Sequence, residues 1–252
     1  MTMPSGMATA PARTAAQARA AIGDVPGGTG PTRGEELYRF VREHGFARCL
    51  ELGFGQGAGS VYIATALEAN ARGSLTSVDR PVALGRHPSA AELLERAGLT
   101  HRVELVVDPD GYIWWLRRRL REQLRGDGFE AAYDFVFLDG AHTWATDALA
   151  FALVDRILAP DGWILFDDLD WNPSDRATAN VPDDTREFAH VREIWDLLVA
   201  TDPYYDELRT DHEWGYAHKS SSPTPKVRTV VQHDLLGQIR ELAHIARIRG
   251  RG

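Results

Sequence analysis

Between Glu51 and Gly59 the chain reads Glu-Leu-Gly-Phe-Gly-Gln-Gly-Ala-Gly, with glycine at every second position after an apolar run that ends in an acid. Positions without a Cβ at this spacing let a ligand press against the backbone where a strand turns tightly into a helix. Gly53 to Ala58 also satisfies the G-x-G-x-x-G/A form of dinucleotide sites. Asp79 ends the next apolar run, 20 residues beyond Gly59, where a carboxylate can accept both ribose hydroxyls of an adenosine. Asp110 follows the run after that and is the better placed acid for the exocyclic amine of a base, although Asp108-Pro109-Asp110-Gly111 is also an ordinary turn sequence. Two further runs end in acids: Phe135 to Leu138 in Asp139, and Ile164 to Phe166 in Asp167-Asp168. Neighbouring parallel strands lie roughly 5 Å apart, so these three carboxylates would converge. Carboxylates that close repel unless they are protonated or neutralised by a hard, oxygen-preferring cation such as Mg²⁺. His142 stands three residues after Asp139, and an imidazole that titrates near neutrality can take the proton of a hydroxyl. Each acid also has a plainer use, capping a helix or facing solvent at a strand end.

The elements that must hold these residues alternate. A helix is predicted over 35–44, strands over 47–52 and 74–78, a helix over 90–97, a strand over 102–107 and a helix over 112–124. A strand over 134–138, a helix over 143–158, a turn at Pro160-Asp161-Gly162 and a strand over 163–166 follow. This alternation specifies an α/β fold, a doubly wound, mostly parallel Rossmann-like sheet whose ligands sit at the carboxyl ends of the strands. After a polar loop (172–185) and a helix over 186–200, the runs 204–209 and 213–219 read as a C-terminal antiparallel hairpin, bringing the sheet to seven strands. Trp144 and Trp171 flank the acid cluster and could wall a planar substrate.

Residues 1–30 are rich in Ala, Pro, Gly and Thr and carry few large apolar side chains, so they are expected to form a disordered arm. Residues 31–220 form the folded domain, and 221–252 a linker with a helix over 232–248. Leu235, Leu236, Ile239 and Leu242 give that helix an apolar stripe able to pair two copies as a homodimer. The 252 residues are 44% hydrophobic, enough for a full core, and a net charge of −8 argues against a nucleic-acid surface. There is no apolar run long enough to span a membrane and no signal-peptide core, so a cytoplasmic location is expected. The single cysteine, Cys49, lies in an apolar run and reads as core.

The Glu-x-Gly-x-Gly-x-Gly pattern of Glu51, Gly53, Gly55 and Gly57 resembles motif I of the class I S-adenosylmethionine (SAM) methyltransferases. That resemblance implies that the loop holds the methionine part of SAM, that Glu51 helps orient the site, and that the three acids lie beside the transferred methyl. Asp139-Gly140-x-His142-Thr143-Trp144, with Asp167-Asp168 after the next strand, is similar to small-molecule O-methyltransferases of the macrocin and cephalosporin-biosynthesis type. It also parallels the catechol and caffeoyl-CoA O-methyltransferases, whose metal site uses an Asp and then an Asp-Asn pair. Asp139 and Asp167 match that pattern, Asp168 stands where Asn is usual, and His142 stands where those families carry a lysine. The resemblance covers about residues 35–218 and implies a Mg²⁺-assisted O-methyl transfer to a small-molecule hydroxyl, with Asp139, Asp167 and Asp168 as metal ligands and His142 as base. An NAD(P)-dependent oxidoreductase shares the glycine loop and Asp79 but has no use for the three acids. A non-catalytic subunit with the same fold is the other alternative.

Overall fold

The computed structural model describes residues 11–26, 28–174, 181–211 and 213–223. Nine strands occur among these: β1 (Arg48–Leu52), β2 (Ser74–Asp79), β3 (Val103–Val107), β4 (Leu124–Arg125), β5 (Gly128–Phe129), β6 (Tyr133–Leu138), β7 (Leu158–Phe166), β8 (Tyr205–Asp211) and β9 (Trp214–Lys219). The helices are α1 (Ala15–Ile22), α2 (Pro31–His44), α3 (Ala58–Ala69), α4 (Ala90–Arg96), α5 (Tyr112–Gln123), α6 (Trp144–Asp155) and α7 (His190–Ile194). Seven strands form one sheet in the order β3-β2-β1-β6-β7-β9-β8, and β4 pairs with β5 in a separate small hairpin. The first five of the seven are parallel, while β9 runs antiparallel to both β7 and β8.

Strand alternation divides the interior into two layers. Cys49, Phe135, Phe137 and Leu165 face a core shared with α1, α2, α3 and α4. Leu50, Leu52, Val136, Leu138, Ile164 and Phe166 face one shared with α5, α6 and α7. Side chains on successive strand residues point to opposite faces, so an uninterrupted apolar run is what a sheet covered on both sides requires. Cys49 is buried, and burial pushes its thiol pKa up, as expected of a core residue. Among the described residues, no helix is long and apolar enough to cross a membrane.

Four differences from the sequence reading have local causes. Residues 15–22, expected within a disordered arm, form α1, which starts in a reciprocal cap between Thr14 and Gln17. Its small apolar face, with Ala18 wholly enclosed, packs against α3, and this tertiary contact supplies what so short a helix lacks on its own. Pro160-Asp161-Gly162 lies inside β7 as an irregularity, where pairing with β6 jumps from Tyr133↔Leu158 to Phe135↔Trp163. The helix expected over 186–200 begins only at His190 and passes into a π turn over Trp195–Val199. β4 and β5 were not foreseen. The C-terminal helix expected over 232–248 lies outside the described residues.

Candidate active site

The chain leaves β1 for β2 on one side and later crosses back to β6 on the other, which opens a crevice at the carboxyl ends of the central strands. A cavity of about 860 Å³ occupies it. Gly53, Phe54, Gly55, Asp79, Asp110, Asp139, His142, Asp167 and Asp168 all contribute to its wall.

The three alternating glycines do different work. All have positive φ, at 94° for Gly53, 52° for Gly55 and 91° for Gly57. A Cβ on Gly53 would lie 2.0 Å from the Asp139 carbonyl oxygen, and one on Gly57 would lie 2.6 Å from Ala90 Cβ. Those two positions are glycine because the protein's own backbone and α4 press on them. At Gly55 a Cβ would meet only the guanidinium of Arg86, at 3.3 Å, and this glycine opens toward the cavity. Gly57 does not line the cavity.

Glu51 also lies behind the loop, outside the cavity wall. Its carboxyl is 1% exposed and accepts hydrogen bonds from the Ser60 and Ser77 hydroxyls, tying β1, α3 and β2 together. Burial raises its pKa to about 7 against the opposing effect of those two bonds, with the Asp79 charge adding to the rise. Glu51 therefore shapes the loop from beneath. Asp79 lines the cavity; its Oδ2 accepts the Gly55 N–H at 2.8 Å and its Oδ1 the Arg80 N–H at 2.6 Å. Asp110 lines the cavity too, while Asp108 is buried, accepts the Asp110 N–H and pairs with Arg118.

At the other end of the cavity the parallel ladder runs one residue past each strand. The Asp139 N–H donates to the Leu52 carbonyl and the Asp167 N–H to the Leu138 carbonyl, both at 3.0 Å, which sets the two acids side by side. Asp139, Asp167 and His142 each offer a ligand atom within 4.8 Å of the others. Asp168, expected as the third acid of that set, faces the other edge of the imidazole. His142 Nε2 lies 3.3 Å from Asp139 Oδ1, and Nδ1 lies 3.1 Å from Asp168 Oδ2. Both His142 and Asp168 have left-handed backbones, with φ of 54° and 53°, and this turns the Asp168 carboxylate toward the ring. Such backbones in non-glycine residues are held only where surrounding structure enforces them.

Charge at this end is unbalanced. Burial lifts the Asp139 pKa, with His142 opposing it. Burial, then the charges of Asp139 and Asp168, push Asp167 well up. Burial works against a charged His142, yet the flanking Asp139 and Asp168 outweigh it and hold its pKa well above the ordinary value. Neither ring nitrogen has an aligned hydrogen bond, so the attraction is one of charge. Acids gathered this closely and shielded from water suit a hard cation.

Several residues that build the site carried no signal in the reading above. Tyr112 accepts the Ala141 N–H at 2.9 Å and donates to Asp147, whose Oδ2 accepts the Thr143 N–H at 3.0 Å. This buried pair fastens the loop that carries His142, and it leaves no room for a Cβ at Gly140, which would lie 2.4 Å from the Tyr112 oxygen. Asp147 stands four residues after the N-cap Thr143, one beyond the three-residue spacing of a capping box, so no local pattern marked it. His190 Nδ1 accepts the Trp144 N–H at 3.0 Å while Nε2 donates to the Thr185 carbonyl at 2.9 Å. The Thr29 hydroxyl lines the cavity beside Gly59 and is buried with no partner among the described residues. Trp171 packs its ring against His142 at 5.7 Å and Trp144 is part-exposed, but neither of these two expected substrate walls lines the cavity.

Residues 50–169 match the family described as a methyltransferase domain. That segment is a methyltransferase domain. No match was found among curated proteins. Solved structures share the fold at low identity. An O-methyltransferase from Bacillus cereus in complex with SAH (S-adenosylhomocysteine) is 20% identical over 81% of this chain and 87% of that one, with a TM-score of 0.55. The O-methyltransferase TomG from Streptomyces achromogenes, involved in tomaymycin synthesis and solved with SAM, is 21% identical over 82% and 87%, with a TM-score of 0.54. MycE from the mycinamycin biosynthetic pathway, in complex with Mg, SAH and mycinamycin VI, is 15% identical; the match spans 92% of this chain and 59% of MycE, with a TM-score of 0.55. The sheet of this chain, with its antiparallel β9, belongs to the fold that those proteins share.

Proposed function

We propose that this methyltransferase transfers the methyl group of SAM to a hydroxyl oxygen of a small molecule, with a divalent cation held by Asp139, Asp167 and His142. The observation that carries the reading is one cavity with two unlike ends. At one end a ligand-facing Gly55 and a ribose-ready Asp79 suit a nucleoside; at the other, acids gathered around an imidazole suit a hard cation and a reacting oxygen.

The cofactor end fits SAM. Asp79 has remaining lone pairs for the ribose hydroxyls, Asp110 stands at the strand end where the base would lie, and Thr29 offers an orphaned buried hydroxyl to the amino-acid portion. SAM supplies an electrophilic methyl carbon: the new O–C bond forms as the C–S bond breaks, SAH leaves, and the hydroxyl loses its proton. A divalent cation, when bound, lowers the pKa of that hydroxyl. Asp139 and Asp167 would hold it with His142, and Asp168 would act through the imidazole. As a ligand through Nε2, with Nδ1–H facing Asp168, His142 would give up its extra proton when the cation binds and could not also be the base, so the hydroxyl proton would pass to solvent. Fixing acceptor and cofactor in line supplies the rest of the rate enhancement. Solved neighbours named for tomaymycin synthesis and for mycinamycin VI support a secondary-metabolite acceptor, and the MycE complex with Mg supports the metal. The family match and the antiparallel β9 favour this reading over an NAD(P)-dependent oxidoreductase.

The test is transfer of labelled methyl from SAM to a panel of catechols and sugar alcohols, with Mg²⁺ or with excess EDTA. Transfer that requires Mg²⁺ and falls at least about 100-fold in Asp139→Asn, about 3 kcal/mol of transition-state stabilisation, is expected. Full turnover in EDTA would remove the metal from the mechanism.

A further inference from the structure

The ladder that joins β1, β6 and β7 sets Asp167 beside Asp139, and both belong to the cluster around His142. An aspartate side chain has two rotatable bonds, so the strand end alone does not fix where its carboxylate points. A contact from outside the cluster fixes it. The indole Nε1 of Trp214, at the start of β9, donates to Asp167 Oδ1. Trp214 is 2% exposed and lines no part of the cavity. Its ring meets Phe137 edge-on at 5.8 Å, and the Arg33 guanidinium lies over it, 4.9 Å from the centroid. Arg33 is itself tied down: Nη2 donates to the Asp211 carbonyl at 3.0 Å, and Nη1 pairs with Glu36 at 3.1 Å. The first turns of α2 thus seat an indole against the end of β8, and that indole grips one oxygen of Asp167. A buried indole N–H needs an acceptor and can make only this one bond. A cation over the ring face draws on its π electrons and steadies the indole in place.

We propose that Trp214, seated by Arg33, is a positioning residue that holds the Asp167 carboxylate against Asp139 and thereby sets the affinity of the site for a divalent cation. This rests on the metal reading given under Proposed function. It gives the antiparallel β9 a task at the site: β9 enters the sheet beside β7 with its first residue level with the acid that β7 delivers. Pinning Oδ1 leaves Oδ2 directed at the cluster, and outer partners of this sort govern how well a ligand set is assembled before the ion arrives.

Mn²⁺ binding, followed by electron paramagnetic resonance on the full chain with and without SAH, tests the inference. Replacing Trp214 by Phe removes the N–H and keeps a ring; 3-benzothienylalanine at position 214 removes it with the ring volume unchanged. Both should weaken Mn²⁺ binding by about 10-fold or more, with SAH affinity unchanged. Arg33→Met, which keeps the stem and removes the charge, should weaken Mn²⁺ binding in the same direction by a smaller factor. If Trp214→Phe does not fold, the benzothienyl variant decides. Mn²⁺ binding as tight as wild type in the folded 214 variants, with only the melting temperature lowered, would overturn the positioning role and leave the metal reading standing. A wild-type chain that binds no Mn²⁺ would overturn both.

Discussion

In the proposed reading, position 55 and position 79 divide the work of holding an adenosine. At Gly55 the backbone is left-handed and a side chain would point into the cavity; at Asp79 the carboxylate already fixes the Gly55 N–H. Gly55→Val is expected to cost SAH affinity by blocking the space and straining the turn, and Asp79→Ala by removing the ribose contact along with the tie to the loop. Losses of at least about 10-fold by calorimetry are expected for each, the equivalent of roughly 1.4 kcal/mol. Glu51 gives a separate, stability-based expectation. Its folded pKa of about 7 lies above the ordinary 4.5, so the folded state binds the extra proton between these values. The stability this contributes is fully present below about pH 4.5 and is lost as pH rises through 7. Glu51→Gln, which cannot ionise, should therefore flatten the fall in melting temperature between pH 5 and 8, by an amount on the order of 3 kcal/mol at most. An unchanged slope would show that Glu51 ionises freely in its pocket. Asp79, Asp139 and Asp167 were legible because each ends an apolar run, and strand ends meet in this topology. Glu51 and Gly57 were read as touching the cofactor, but a linear motif does not say which side of a turn faces the ligand. Trp214 and Thr29 had no local signal, since their site partners lie far away in the chain.

At the scale of elements, the alternation of strands and helices was readable because a sheet covered on both faces demands unbroken apolar runs separated by amphipathic helices. The helix α1 was not readable. Alanine-rich segments bury little area per residue, and composition alone cannot show that α3 presents a matching surface. The consequence is measurable: Ala18 is fully enclosed, so Ala18→Leu should overpack the α1–α3 contact and cost about 1–3 kcal/mol in urea denaturation. Removing residues 1–24 should lower stability, since Ala12, Ala18 and Ile22 contribute to the core. Equal midpoints for the truncated and full chains would show that α1 contributes nothing. The Pro160-Asp161-Gly162 stretch teaches a similar lesson: turn residues also make bulges, and only the register with β6 shows that β7 continues through them.

For the whole molecule, the sheet gathers its chemistry at one edge. Cavity-lining residues come from the ends of β1 and β2, the segment after β3, and the acids after β6 and β7, while the support from β9 and α2 is our proposal. Substitutions at the two ends of the cavity should therefore separate: Asp167→Asn should weaken Mn²⁺ binding while SAH binding persists. Pairing of two chains through residues 232–248 is our proposal from the sequence stripe, and those residues lie outside the described part. Deleting 229–252 is expected to halve the mass measured by light scattering, and a full-length chain that is already monomeric would dismiss the pairing. The central claim is that this crevice is built for SAM, and calorimetric titration of the purified chain with SAH, with NAD⁺ as the comparison, tests it most directly. One SAH bound per chain, no heat from NAD⁺ and loss of SAH binding in Asp79→Ala is the expected result; NAD⁺ binding without SAH binding would contradict it.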